Sequence, residues 1–415
     1  MMMRPCLLSL CLLLGVAATP SANGLELEGR LKWFSTASMF PSHDSQRQLQ
    51  GTPAYDHSAD VRVMASQEVG PLKLILHHST IWLNGDGVLL GSGGDATVDQ
   101  TARDDERRRW DWTWNIDQGR RHAALHRLDR LAVNWQRGNW DVTIGRDAVS
   151  WGSGMVFQPM DLFSPFSPTV VDRDYKAGDD LVKISRLLDN GHDLQLLYIA
   201  RRNPTGEATA DAASTALKWH GYAGPIEFEA AAGEHYGEPV YASSVRFPIG
   251  QGLVRADLVA TRDNDGDWVY SGILNADISH VIAERTAYFF AEYFHNGWGV
   301  SELPERIDTL PQELTERLLR GEVFNLMRDY LALGASYEWH PLLSQTTTLI
   351  TNLHDASSLL QVGLSYVPGD KQTVQVGWIE PLGRAGDEFG GIPVLGDGIT
   401  TGAASRFYLR WVYYL

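Results

Sequence analysis

Apolar and polar residues alternate one for one over much of the chain, the period of a strand whose two faces meet different surroundings. The pattern is sharpest in the last stretch, where Phe407, Leu409, Trp411, Tyr413 and Leu415 share one parity and Arg406, Tyr408 and Arg410 take the other. Left bare on an edge strand in water, such an aromatic face is an aggregation site. Against hydrocarbon it is stable, provided the strand pairs with the first one and closes a barrel around a polar lumen. The alternation recurs from Leu25, Leu27, Leu31 and Trp33 onward, through sets such as Leu72, Leu74 and Leu76, then Leu131, Val133 and Trp135, then Val374, Val376 and Trp378. About 18 strands are predicted, an even number, as single-chain bacterial barrels have.

Connection length alternates too. Short turns such as Val69-Gly70-Pro71, Arg137-Gly138-Asn139, Ala223-Gly224-Pro225 and Pro368-Gly369-Asp370 carry hairpin chemistry. Between them fall longer connections at 39–57, 85–125, 148–178, 201–212, 297–328 and 383–403. With both termini in the periplasm, each long connection lands outside the cell and each short one inside, an asymmetry that a soluble sandwich has no reason to show. The expected fold is all-β: a transmembrane antiparallel β-barrel with long extracellular loops and short periplasmic turns. The segment Arg109 to Ile116, with Trp110, Trp112 and Trp114 alternating, reads as a further strand. Counted as a span, it would swap the sides of all later loops. It is expected instead to form a hairpin projecting above the membrane, paired with the upper part of the strand leading to Trp135.

At the other end, Arg4, the apolar run Leu7 to Val16 and the small residues up to Ala22 have the layout of a Sec-type signal peptide. The run is too short to cross a bilayer. Residues 1–22 are therefore expected to leave, with cleavage between Ala18 and Ala22, and 23–415 to form a single barrel. Cys6 and Cys11 leave with the signal, so the mature chain enters an oxidising compartment without a disulfide framework. The 40 Gly, 14 Trp and 15 Tyr suit turns and interfacial aromatic belts. A net charge of −16 argues against nucleic acid as a partner.

The third long connection, 148–178, carries the strongest functional signal. Phe157, Met160, Leu162, Phe163 and Phe166 are too apolar for a loop in water, and the nearest shelter is the barrel interior. The loop with its approach then offers Arg146, Trp151, Phe157, Asp161, Phe163, Asp172, Arg173, Asp174, Lys176 and Asp179 as candidates to narrow or line a pore. A plug that only stabilises a wide barrel, through buried Trp151 and Phe163 and internal salt bridges, is the competing reading. On the inward parity, closure of last strand to first would bring Arg406 and Arg410 beside Arg30 and Lys32 as a basic ladder on one wall. Facing acidic residues across the lumen, that ladder would set up a transverse field that orients polar solutes. Ordinary solvated lumen residues are the plainer account.

Other features carry less. Asp263-Asn-Asp-Gly-Asp267 echoes a calcium loop but lacks the downstream glutamate, and Asx-turn chemistry explains it. Thr309 to Gly321 reads as a short helix with Leu314, Leu318 and Leu319 on one face, packed against a neighbouring loop. His77, His78, His220, His235 and His354 are scattered, and neither a Gly-x-Ser-x-Gly elbow nor a His-Glu-x-x-His helix occurs. No catalytic residue, metal ligand or cofactor is expected.

Signal, hairpin asymmetry and aromatic last strand together resemble Gram-negative outer-membrane β-barrels, over essentially the whole mature chain. The Gly-Arg-x(4)-Trp-Gly-x-Gly-x(4)-Pro-x-Asp-x(3)-Pro stretch at 145–165 is also similar to a motif of poorly characterised porin-like barrel families of proteobacteria. The resemblance implies residence in the outer membrane, lipid around the outer face, and the barrel-assembly machinery as a partner of the C-terminal strand. It leaves homo-oligomerisation open. The expected function is a porin-like channel for passive diffusion of small polar or charged solutes. The runner-up is an exporter or receptor-like barrel for an apolar or lipid-like molecule in a multi-component envelope system, motivated by the apolar third loop.

Overall fold

The computed structural model describes residues 24–88, 105–172, 175–394 and 398–415. The signal segment and two of the loop candidates, Arg173 and Asp174, lie outside the described residues. In chain order the strands are β1 (Leu25–Met39), β2 (Ala54–Val69), β3 (Leu72–Gly85), β4 (Thr113–Gln118), β5 (His122–Arg137), β6 (Trp140–Asp147) and β7 (Asp179–Leu187). They continue with β8 (Asp193–Ile199), β9 (Ser214–Ala223), β10 (Ile226–His235), β11 (Glu238–Ile249), β12 (Gly252–Arg262), β13 (Trp268–Ile282) and β14 (Arg285–His295). The last are β15 (Asp329–His340), β16 (Leu343–Asn352), β17 (Ser358–Gly369), β18 (Gln372–Leu382), the short pair β19 (Ile392–Pro393) and β20 (Thr400–Thr401), and β21 (Ser405–Tyr414). Two helices, α1 (Ser45–Gln50) and α2 (Gln312–Arg320), lie in long connections.

Eighteen of these strands pair antiparallel, neighbour to neighbour, into a closed barrel. Closure is made by β1 against β21, with Trp33 opposite Trp411 and Ala37 opposite Phe407. Closure leaves no edge to template aggregation and no unpaired backbone facing hydrocarbon. The parity read from the sequence holds: Trp33, Leu196, Leu274, Phe407 and Leu409 are exposed on the outside, while Arg30, Arg62, Asp257, Glu292 and Arg410 are buried inside. A greasy exterior around a charged interior inverts the arrangement of a water-soluble protein and suits a bilayer.

Three details depart from simple alternation. The hairpin β13–β14 turns at Ala283 and Glu284, whose φ values of +49° and +63° are the positive values of a type I′ turn, made here without Gly or Asn. β5 carries a bulge: His77 faces Arg130 and His78 faces Leu128, so Asp129 is the extra residue and parity above it is inverted. Arg127 is thereby turned inward, against a count from Leu131. Finally, β4 pairs with β5, Thr113 opposite Arg127, as expected for the tryptophan segment, and adds no span. It lies along the edge of β5 above β6, which pairs only as far as Leu131 opposite Arg146.

Candidate functional site

β6 and β7 are short because the chain leaves the wall at Asp147 and returns at Asp179. Gly145 permits the departure. Its φ is +129°, and a Cβ there would sit 2.2 Å from the Leu131 carbonyl. The gap left in the upper wall is filled by residues 105–118. Arg146 holds them. Its Nε donates to Asp180 Oδ1 at 2.9 Å and its Nη2 to Asp180 Oδ2 at 3.0 Å; Nη1 donates to Asp105 Oδ2 at 2.9 Å, and Nη2 to the Trp110 carbonyl at 2.6 Å. The Trp112 ring covers the guanidinium at 4.6 Å. Burial works to raise the Asp105 carboxyl, but Arg108 and Arg146 hold it below its ordinary value. Arg146 shares a face of β6 with exposed Ile144 and Trp140, so it lies on the outward side of the wall and fastens that wall, rather than lining a pore as its sequence position suggests.

Inside, the third connection contacts almost every sector of the barrel. Trp151 packs edge-on against Phe163 (centroids 4.9 Å apart), and its Nε1 donates to Gln195 Oε1 of β8 at 2.9 Å. With Val149 and Met160, these rings form an apolar core against Leu197, Ile199, Val240 and Val259 of the wall. Gly152, at φ +85°, lets Asp257 of β12 come close, and that carboxylate accepts from Ser153 N at 2.7 Å and Ser153 Oγ at 2.6 Å. Glu292 of β14 then accepts the Met155, Val156 and Phe157 amides at 2.7, 2.9 and 2.7 Å. Phe157 stacks on Phe294 with centroids 4.5 Å apart and lies 5.5 Å from Tyr330. Its side chain belongs to a second apolar core with Ile273, Ile350 and Ile379.

The return limb runs on to β21, β1 and β2. Asp172 accepts from Lys32 Nζ at 2.6 Å and from Arg410 Nε at 3.0 Å. Burial works to raise the Asp172 carboxyl, but these two cations hold it below its ordinary value. Tyr175 lies under the guanidinium groups of Arg62 at 4.1 Å and Arg30 at 4.9 Å. Lys176 turns back into the loop, bonding both oxygens of Asp161, the Val149 carbonyl and Ser150 Oγ. Burial pushes the Asp161 carboxyl up to about 6 against the opposing pull of Lys176. Asp179 accepts from Arg201 Nη2 at 2.8 Å, and Arg201 also donates to the Phe163 carbonyl, bracing the point of return.

On β1 and β21 the register sets Arg410 opposite Phe34 and Arg406 opposite Ser38, above Arg30 and Lys32. Further cations lie near these four. Arg62 pairs with Asp129, Arg127 Nε donates to Asp129 Oδ1 at 2.7 Å, Arg30 pairs with Asp60, and Arg130 lies 3.3 Å from Asp147. Arg127 and Asp129 were hidden by the β5 bulge, and Tyr175 carries no charge to mark it. The opposing acidic wall differs from the sequence expectation. Asp257 and Glu292 are taken up by loop amides, so they do not face the cations across open water.

Other sequence signals resolve into local structure. Asp263 Oδ1 accepts the Asp267 amide at 2.7 Å, an Asx-type turn. Helix α2 buries Leu314 and Arg317 but leaves Leu319 70% exposed, so its inner face is narrower than the leucine spacing suggested. Ser214 Oγ lies 2.8 Å from His235 Nδ1, and His235 Nε2 lies 3.4 Å from Glu322, an order reminiscent of a nucleophile relay. Ser214 is buried and its oxygen accepts from Arg201 Nη1 at 2.8 Å, which makes the trio a brace. Among the described residues, no group of three or more His, Cys, Asp or Glu side chains is arranged to hold a metal.

No protein-family model matches the sequence, and no curated protein matches it. Solved structures do. OccK2 (OpdF) of Pseudomonas aeruginosa, in complex with glucuronate, is 11% identical, with 94% of this chain and 98% of that one covered and a TM-score of 0.55. A BenF-like porin of Pseudomonas fluorescens has the same identity, coverage and TM-score. OpdK of Pseudomonas aeruginosa with vanillate is 11% identical at a TM-score of 0.54, over the same shares of the two chains. At these identities the likeness is one of fold: a porin-like barrel along nearly the whole chain.

Proposed function

We propose that this barrel is an outer-membrane channel for passive diffusion of small polar or charged solutes, with the third connection setting its bore and the basic strip its charge preference. The observation that carries the reading is the loop's path. It leaves the wall, enters a charged lumen and is tied to widely separated strands: to β14 at Glu292, to β1 and β21 at Lys32 and Arg410, and to β5 where Arg130 donates to the Lys176 carbonyl. A loop so placed divides the passage instead of capping it. Along the basic side, Arg30, Lys32, Arg62, Arg127, Arg130 and Arg410 line one stretch of wall, and the described residues pair them with Asp60, Asp129, Asp147 and Asp172. A wall so dense in guanidinium groups is read here as the feature that attracts anions. Glucuronate and vanillate, bound by two of the structural neighbours, are both carboxylates, which agrees with this preference.

The exporter reading was motivated by the apolar third loop, and its apolar residues have partners of their own. Phe157, Met160 and Phe163 are buried in the loop–wall cores, so most of that apolar surface is covered from within the barrel, while Leu162 and Phe166 stay half-buried beside a cavity that Trp298 also lines. The test is a planar-bilayer recording of the refolded protein under a salt gradient. Steady open-channel conductance with a reversal potential on the anion side is expected. A silent bilayer with correctly folded protein, or an apolar molecule that co-purifies in stoichiometric amount, would overturn the channel reading.

A further inference from the structure

Glu292 projects inward from the middle of β14 and is fully buried. Among the described residues, its bonded partners are uncharged. Three are consecutive loop amides, those of Met155, Val156 and Phe157, and the fourth is Asn275 Nδ2 at 3.0 Å. Successive backbone N–H groups converging on one carboxylate make an anion nest, usually formed around a ligand and here formed around the barrel's own side chain. Asn275 extends the grip, since its Nδ2 also lies 3.3 Å from the Ser153 carbonyl. Asp257 holds the Ser153 amide and hydroxyl beside it. Three neighbouring strands, β12, β13 and β14, thus hold residues 153–157 by hydrogen bonds. Phe157 then stacks on Phe294, the next inward position of β14.

We propose that Glu292 is the positioning residue of the channel: one carboxylate that fixes where the Met155–Phe157 turn crosses the lumen and so sets the bore. This rests on the channel reading above. The two ends of the loop are held differently. At Asp172 a loop anion meets wall cations, charge against charge. At Glu292 a wall carboxylate is met by buried amides that carry no charge, so geometry alone must bring them together. A glutamine in that place offers one acceptor oxygen where the carboxylate serves four donors, and its own amide would point N–H groups at N–H groups. Aspartate keeps the charge but falls short by one methylene.

The experiment compares single-channel recordings of the wild type, Glu292→Gln and Glu292→Asp with their folded state, read as the heat-modifiable band on electrophoresis. For Glu292→Gln, about a two-fold rise in conductance with noisier open states is expected, with Glu292→Asp between it and the wild type. A residue that only supported the wall would alter the folded band and leave conductance alone. Adding Glu292→Gln to a variant lacking residues 155–157 should cause no further change, because the coupling acts through that turn. Hydrogen exchange on the wild type covers the case in which the variants do not fold: the amides of Met155, Val156 and Phe157 should exchange slowly, and fast exchange there overturns the proposal. A folded Glu292→Gln with wild-type conductance and noise also overturns it. A folded wild type that does not conduct would instead overturn the channel reading, so the two failures are distinguishable.

Discussion

Arg146 and Asp105 stand 2.9 Å apart, joined across a barrel wall that neither β6 nor the hairpin before it could complete alone. β6 leaves the wall early to deliver the lumen loop, and the segment around Asp105 covers the gap. Arg146 is the rivet, since it also takes both oxygens of Asp180. Replacing it with alanine would take the cation from buried Asp180 and leave Asp105 with Arg108. Removing one partner of a buried ion pair costs about 3–5 kcal/mol, so Arg146→Ala should lower the denaturant midpoint of unfolding in micelles by a matching amount. A change within about 0.5 kcal/mol, the scale of an ordinary surface substitution, would show that the rivet is dispensable.

On the proposed reading, the basic strip governs charge preference. Lys32→Gln combined with Arg410→Gln removes the two cations that meet Asp172 and should move the reversal potential toward cations. Asp172→Asn should move it the other way. Both shifts should shrink as salt is raised from about 0.1 M to about 1 M, because the screening length falls from about 10 Å to about 3 Å. Identical reversal potentials for all three proteins at low salt would separate selectivity from this wall.

On the same proposed reading, bore depends on the loop itself. A protein lacking residues 157–166 loses the Phe157 stack on Phe294 and the Phe163 contact with Trp151 but keeps every barrel strand. Its conductance should rise, and larger sugars should pass in a liposome-swelling assay. Unchanged values for both would make the loop a brace with no part in transport.

A pH dependence follows from Glu388, in the connection after β18. Its carboxylate accepts from the Leu326 amide at 2.8 Å, the Tyr330 hydroxyl at 2.6 Å and Asn352 Nδ2 at 2.9 Å, tying its connection to the one before β15 and to β15 and β16 themselves, with no cation among those partners. Burial is the main cause that pushes it up to about 7; the Tyr330 hydroxyl opposes this, and the nearby Asp355 carboxylate adds to it. An acid whose folded value lies above its unfolded one, about 4.3, is bound more tightly in protonated form by the folded state. Its contribution to stability is complete below that unfolded value and is lost as pH rises through about 7. Wild-type melting temperature should therefore fall between pH 5 and pH 8 more steeply than that of Glu388→Gln, which stays neutral throughout. Parallel curves for the two proteins would remove Glu388 from the account.

Alternating parity, read along the chain, was enough to determine a closed barrel of eighteen strands, its greasy exterior and the pairing of β1 with β21. The reason is local: period two states which side each residue must face, and a one-residue slip would turn every strand inside out. For the same reason Lys32 and Arg410 were legible as neighbours on the inner wall. What only the tertiary structure decided concerns places where that local rule is broken or where distant segments meet. The bulge at Asp129 inverted the parity of Arg127, and Ala283 and Glu284 turned a hairpin without the residues that usually mark one. Arg146 sits in a loop motif yet fastens the outside of the wall, because the segment that covers it arrives from some 40 residues earlier. Glu292 looks like any inward carboxylate until three loop amides meet it, and backbone amides leave no mark in a sequence.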